Sequence, residues 1–461
     1  MKHIRPLLCM LAVCFAFLLF TACSQKNIPQ ENVSQNEGFG GEIFYFLGSF
    51  IPSDARDADL ITDEVSSETV SVEGIEEEVM FAQCKKVEEN YNCRIVCQPG
   101  FGPYSTNAQF AAAYAAGIQQ GDFISTDNNT LLDLYQSGLL VDLDSIEALN
   151  LEDTEKWGVY SLRTATTSRG VLYAIPMQGS RYMPIFKKYN GAFFYNSALY
   201  DTFGLDMTPK EMVEQGKWTF DDFYAVVTKT YDPNESSPIY GIAMYNSIVT
   251  ATIYANGGDV IAKEKGKYVF GYTKENAITA LEWARKLNKT TGLIGTFDDF
   301  EDEKAVFALA PSDRGIESEI KTVSWVPFPY GPNVEQGSTY VSYFGYSEGA
   351  TAILKHEDDP ENDQRTGVIF NALFEPTEKW GKDGYDRYIE RNFFNSSEDY
   401  AAYKAGSDHM HYNWSKEFGA SGILQSLSAS CDAMLVSSSA ILPYLSAYSE
   451  AVEQIANEEL G

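Results

Sequence analysis

Short apolar runs alternate with helix-spaced segments along most of the chain, and polar or glycine-containing turns separate them. Glu42–Phe46 reads as a first strand, with Leu47-Gly48-Ser49 as the turn at its carboxyl end. Val79, Met80, Cys84 and Val87 fall near helical spacing, so a helix is expected from about Ile75 to Tyr91, before a second strand at Arg94–Cys97. Asn107–Ile118 is an Ala-rich helix leading to a strand at Gly121–Ser125. Asp127-Asn128-Asn129 then forms a polar turn, and Thr130 is expected to cap a helix through Tyr135 that stops at Gly138.

Between Gly170 and Gly204 the pattern changes in a way that suits a chain leaving one lobe for another. Leu172–Ile175 is a short strand that Pro176 ends by removing a ladder donor, Gln178–Lys188 is polar and basic, and Ala192–Asn196 is an aromatic strand. Thr219, with Asp222 three residues on, starts a helix to Thr230, and Tyr240–Met244 is a strand. Thr250–Ala255 runs into Asn256-Gly257-Gly258-Asp259, and Thr273–Asn288 is an amphipathic helix with Ile278, Leu281 and Leu287 inward. Later strands are expected at Glu303–Leu309, Val323–Pro327 and Thr351–Leu354, with a second hinge at Tyr343–Gly349. From Asp358 onward the pattern is helical, interrupted at Trp380–Gly384 and Gly419–Gly422, while Asp54–Gly74 reads as an acidic, Ser-rich loop or insertion. Strands alternating with helices predict an α/β fold with mostly parallel sheets.

A chain of 461 residues is too long for one core, so two domains are the default. With 34 Lys and Arg against 65 Asp and Glu, the net charge of −31 makes nucleic acid and anionic lipid surfaces poor partners. Met1–Cys23 has a basic start, an apolar run from Leu7 to Phe20 and then Thr21-Ala22-Cys23, which is the signal-peptide pattern. Leu-Phe-Thr-Ala-Cys resembles a lipobox, with Phe20 where Leu is usual. That resemblance implies lipidation of Cys23 after removal of residues 1–22. The polar stretch Ser24–Gly41 cannot offset its ordering entropy by burial, so 23–41 reads as a flexible tether. Cys84, Cys93, Cys97 and Cys431 remain in the body of the chain. Cys93 and Cys97 lie roughly 13 Å apart along a strand, beyond disulfide reach, which leaves a bridge to Cys84 open.

Several blocks fall in an order that resembles a known family. Gly138-Leu139-Leu140-Val141-Asp142-Leu143-Asp144, Ile175-Pro176, Phe194-Tyr195-Asn196 leading into Ala198–Leu205, Lys217-Trp218-Thr219-Phe220, Asn256–Asp259 and Glu303–Leu309 together resemble the family 1 extracellular solute-binding proteins of ABC importers, which include the maltose-binding protein. The resemblance implies a two-lobed, periplasmic-binding-protein-like fold of type II, each lobe a mostly parallel sheet flanked by helices. One lobe would hold residues 42–177 with 308–342, the other 178–307 with 355–461, and 343–354 would form a hinge region. It also implies ABC permease subunits as partners, a lipid-anchored position on the extracellular face of the membrane, and capture of a carbohydrate, an oligosaccharide, in the inter-lobe cleft.

Ligands of open α/β sheets bind beyond the carboxyl ends of strands. That rule selects Ser49, Asp127, Asn128, Asn129, Gln178 and Arg181, then Asn246, Asn256, Gly257 and Gly258, and finally Asp313, Arg314 and Tyr346. Planar polar groups suit vicinal hydroxyls, and aromatic faces suit the C–H side of a sugar ring, which adds Tyr182, Tyr245, Tyr412 and Trp414; Trp325 is expected in a core. Family members that bind sugars often place an aromatic after the Pro that follows the Glu303–Leu309 block. Here Pro311-Ser312-Asp313-Arg314 stands there, which points to a more polar or partly charged ligand. Adjacent carboxylates such as Asp221 with Asp222 read as solvated faces, and His409-x-His411 alone is weak for a metal. No P-loop, G-x-S-x-G or G-x-G-x-x-G occurs, so neither a catalytic group, a metal nor a cofactor is expected. Two alternatives to import remain open: a surface lipoprotein enzyme acting on polysaccharide, and a protein that presents its ligand to a membrane sensor.

Overall fold

A computed structural model describes residues 38–48, 72–98, 100–101, 106–118, 121–158, 163, 166–180, 182, 187–232, 238–245, 247–290, 293–335, 341–344, 349–356, 359–376, 384–412 and 423–459. The signal segment, the lipobox with Cys23 and the 54–71 part of the acidic insertion lie outside them.

Two five-stranded sheets organise the chain. The first is built from β1 (Glu42–Gly48), β2 (Cys93–Gln98), β3 (Phe123–Thr126) and β4 (Ile175–Pro176). The second takes β5 (Ala192–Asn196), β6 (Tyr240–Met244), β7 (Ile294–Thr296), β8 (Ala305–Ala310) and β9 (Val323–Trp325). After a short strand β10 (Ser342–Phe344), β11 (Ala350–Ile353) returns to the first sheet, and β12 (Met410–Tyr412) pairs with β10. The strand orders are β2-β1-β3-β11-β4 and β7-β6-β8-β5-β9. β1 runs parallel to β2 and β3, while β11 runs antiparallel to both β3 and β4.

β8 corrects one expectation. Its sequence, AVFALA, is buried at every position because helices cover both faces of the sheet. It lies at the centre of the second sheet, parallel to β6 and antiparallel to β5, and not in the first lobe, where residues 308–342 were placed. β9 joins the same sheet, and β11 and the helix Pro360–Leu373 belong to the first core through Ile353, Ile369 and Phe370. The 355–461 segment is therefore divided, with Tyr385, Tyr403, Leu427 and Leu445 in the cores of the second lobe. For the same reason the hinge does not extend to 354. Leu172–Ile175 also breaks in two, and Pro176 sits within β4, a two-residue strand at the sheet edge where a missing donor costs nothing.

The period-2 alternation of the aromatic strand splits its side chains between two cores. Phe193 and Tyr195 meet Phe307, Trp218 and Phe223, whereas Phe194 faces Phe300 and Trp325. Trp325 is core, as expected. Helix Phe220–Lys229 begins as its sequence predicts: Thr219 Oγ1 accepts from Asp222 N at 3.3 Å, and Thr219 N donates to Asp222 Oδ2 at 3.1 Å. Thr219→Ala should cost about 1 kcal/mol. Urea denaturation should show a lower midpoint with an unchanged slope.

In the first lobe the cap lies upstream of its expected position. Asp127, not Thr130, is the N-cap of helix Asn128–Gln136, and its carboxylate accepts from Thr130 N at 3.0 Å and Thr130 Oγ1 at 2.8 Å. A buried imidazole, His356, sits between Asp122 at 3.0 Å and Asp363 at 2.8 Å, joining the end of β11 to β3 and to helix Pro360–Leu373. Cys84, Cys93, Cys97 and Cys431 are buried free thiols, so no bridge to Cys84 forms.

Candidate functional site

The strand directions determine where a cleft must lie. β4 is antiparallel to β11, which is antiparallel to β3, so β4 ends at the same edge of the first sheet as β3. β5 is antiparallel to β8 and therefore starts at the carboxyl edge of the second sheet. The linker from β4 to β5 thus joins the two carboxyl edges. The return linker does the same, because β9 ends beside Phe194 and β11 begins opposite Thr126. Both linkers meet at Asn190 and Tyr343, where Asn190 N donates to Tyr343 O at 2.7 Å and Tyr343 N to Asn190 O at 3.3 Å. Two edges tied in this way face each other across a cleft, at the position where open α/β sheets hold ligands.

The wall on the first lobe starts at Gly48, the last residue of β1. Its φ of +105°, and the 2.0 Å that would separate an added Cβ from Ser125 O, explain the glycine. Ser49 lies outside the described residues. Asp127 is at the carboxyl end of β3 with its carboxylate occupied as a helix cap, Asn128 is fully buried, and Asn129 follows in the first helical turn. Gln178 lies in the 3-10 turn Met177–Gly179 that follows β4. Tyr182 is buried and donates its hydroxyl to Glu155 Oε2 at 3.3 Å. Arg181 lies outside the described residues.

On the second lobe three neighbouring strands each deliver one side chain to the carboxyl edge. β6 is followed by Tyr245, β7 by Phe297, and β8 by the helix Ser312–Glu317 that carries Arg314. The Phe297 ring meets Tyr245 edge-on with centroids 5.7 Å apart, which fixes the tyrosine while leaving it 46% exposed. The Arg314 guanidinium lies 5.0 Å over the Tyr245 ring, and its Nη2 donates to the Tyr245 hydroxyl at 3.3 Å. That hydrogen bond, first among the causes, holds the Arg314 pKa above its ordinary value, with burial opposing it and the nearby Asp313 and Glu317 carboxylates adding to it. Asp313 Oδ1 accepts from Arg314 N at 3.1 Å. Ser312 is fully buried, accepting from Tyr189 N at 3.1 Å and donating to Lys187 O at 3.3 Å, so it braces the first linker.

Asn256, Gly257 and Gly258 do not join this group. They stop helix Ile248–Ala255: Gly257 has a φ of +71°, its N–H bonds Tyr254 O at 3.0 Å, and Gly258 N–H bonds Ile253 O at 2.8 Å, the Schellman pattern. The Asn256 amide is consumed internally, by Asn276 O and by Asn333. Asn246, Tyr346 and Trp414 lie outside the described residues, as does the Tyr412 side chain. Phe297 was not anticipated from the sequence; an aromatic directly after a strand end was the available signal. A further groove of about 550 Å³, lined by Tyr135, Asp142, Arg169 and Lys355 among others, opens on the first lobe. Lys355 follows β11, whose last residue pairs with the first of β3, so this groove is remote from the cleft.

Comparison with known proteins agrees with this architecture. A cyclic α-maltosyl-1,6-maltose binding protein from Arthrobacter globiformis superposes with a TM-score of 0.63 at 13% identity, covering 91% of this chain and 100% of that one. A sugar transporter protein from Rhizobium etli in an open conformation gives 0.59 at 14% identity over 89% and 98% of the two chains. A cyclo/maltodextrin-binding protein complexed with maltotetraose gives 0.58 at 12% identity over 91% and 99%. At these identities the likeness concerns the two-lobed type II fold alone. No curated protein sequence matches this chain. The family model for bacterial extracellular solute-binding proteins matches residues 76–364, more than half of the chain, and the protein belongs to that family.

Proposed function

We propose that this protein is the lipid-anchored, extracellular capture component of an ABC importer, which binds a carbohydrate in the inter-lobe cleft and hands it to the permease. The observation that carries this reading is the pair of linkers joining the carboxyl edges of the two sheets, with Asp127 at one wall and Tyr245 and Arg314 at the other. A ligand bridging both walls favours the closed arrangement by its differential affinity for it, and closure is then the signal for docking. A half-exposed, rigidly backed tyrosine beside a guanidinium offers apolar and polar contact to a sugar ring, and similar structures include a protein complexed with maltotetraose. The activity is binding, with no chemical step. Cys23 is the proposed membrane anchor.

Thermal unfolding of the purified chain with a panel of mono- and oligosaccharides, amino acids and peptides tests the assignment. A ligand at about 100 times its dissociation constant adds about 2.7 kcal/mol to the native state. We expect a saccharide-specific rise in midpoint with the saccharide recovered intact. A rise only with amino acids or peptides removes the carbohydrate assignment, and cleaved glycan in the mixture overturns the binding reading.

A further inference from the structure

The guanidinium resting on Tyr245 changes what this cleft selects. A neutral sugar stacks best on an open aromatic face, yet here the exposed face carries a cation held by both the ring and the phenolic oxygen. The next position where an aromatic could stand, after Pro311, is Ser312, buried and turned into the linker. Among the described residues no carboxylate closes an ion pair with the Arg314 guanidinium: Asp313 turns an oxygen to the backbone N–H of Arg314, Asp313 and Glu317 act on the guanidinium only as nearby charges, and its side-chain contact is to tyrosine. An exposed guanidinium, fixed in orientation at the carboxyl edge of a ligand-binding sheet, presents a planar fork of donors that matches a carboxylate.

We infer that the cleft selects an acidic saccharide, one carrying a ring carboxylate, with Arg314 as the specificity-determining residue and Tyr245 as the platform that orients it. This inference rests on the carbohydrate-capture reading above. In the bound state the carboxylate takes the two outward guanidinium donors, while the sugar ring lies beside Tyr245. Arg314 is exposed and makes no core contact, so its replacement leaves the fold intact.

The experiment is calorimetric titration of the full chain and of Arg314→Gln with uronic-acid oligosaccharides and with the matching oligosaccharides whose carboxylates have been reduced to hydroxymethyl groups. Charge-assisted hydrogen bonds of this kind correspond to about a ten- to hundredfold difference in affinity. We expect the acidic form to bind that much more tightly than its reduced partner, and Arg314→Gln to abolish the preference by weakening the acidic form far more than the reduced one. Arg314→Lys should restore only part of it, because the charge remains and the fork does not. Equal affinity for both forms, or a preference that survives in Arg314→Gln, overturns the inference while leaving sugar capture in place. Absence of binding to both series, with binding to a non-sugar solute, overturns the capture reading and the inference with it.

Discussion

Replacing His356 by leucine should destabilise the first lobe by about 3–5 kcal/mol, the range expected when one partner of a buried ionic cluster is removed and charge is left uncompensated. The imidazole is only 7% exposed. Its Nε2 lies 3.0 Å from Asp122 Oδ1 and its Nδ1 lies 2.8 Å from Asp363 Oδ1. The backbone N–H of His356 also donates to Asp363 at 2.9 Å, and Asp122 accepts from Tyr45 N at 2.7 Å, so the cluster ties β1, β3, β11 and helix Pro360–Leu373 together. Burial by itself would lower the imidazole pKa. The hydrogen bonds and charges of Asp122 and Asp363 outweigh it and raise the value from 6.5 to about 9. A folded-state pKa above the unfolded one means that folding takes up a proton between them. The stabilisation is complete below pH about 6.5 and is lost as pH rises through about 9, and by linkage it amounts to about 3 kcal/mol. Guanidinium denaturation at pH 6 and pH 9.5 should show the wild type losing stability across this window and His356→Leu much less affected. Equal pH dependence in the two proteins would show that the cluster is not the source.

Much of the fold was legible because it is written in local signals. Tyr240–Met244 and Ala192–Asn196 are apolar runs with clear ends, and Thr219 with Asp222 is a reciprocal cap whose two residues lie three apart. Pairing between distant segments carries no such mark. The Ala305–Ala310 strand shows by its unbroken apolar character that it is buried on both faces, but nothing in it distinguishes β5 and β6 from β3 as neighbours, and its carboxyl half, from Ala308, is expected in the wrong lobe. The candidate site divides along the same line. The rule about strand ends selects Asp127 and Arg314, and both follow the carboxyl ends of strands, since it depends only on strand direction. It could not show which polar side chains the fold itself consumes, because a capping aspartate and a ligand-binding one have the same sequence. Phe297 stands directly after a strand end, but its role lies in contact with Tyr245, and that pairing no spacing encodes.

Asn256 offers the sharpest test of that distinction. As a polar residue in an Asn-Gly-Gly segment it reads as a ligand group, yet it is fully buried, with Nδ2 donating to Asn276 O at 2.6 Å and to Asn333 Oδ1 at 2.8 Å, and Oδ1 accepting from Asn333 N at 2.8 Å. One amide thereby fastens the end of helix Ile248–Ala255 to helix Glu275–Lys289 and to the loop after Tyr330. Asn256→Ala removes three hydrogen bonds, but Asn333 is exposed and turns its groups to water, so the cost falls mainly on the half-buried Asn276 carbonyl and we expect a loss of about 1–3 kcal/mol. Asn256→Asp should do no better, since a carboxylate would face Asn276 O and Asn333 Oδ1 with no proton to give either. At a temperature where both variants remain folded, ligand affinity should stay within about twofold of wild type, because differences below about 0.4 kcal/mol are all that a remote brace transmits to a cleft whose walls are unchanged. A tenfold loss of affinity with the unfolding midpoint preserved would return Asn256 to the binding site and would mean that the closed form reorganises this loop around the ligand.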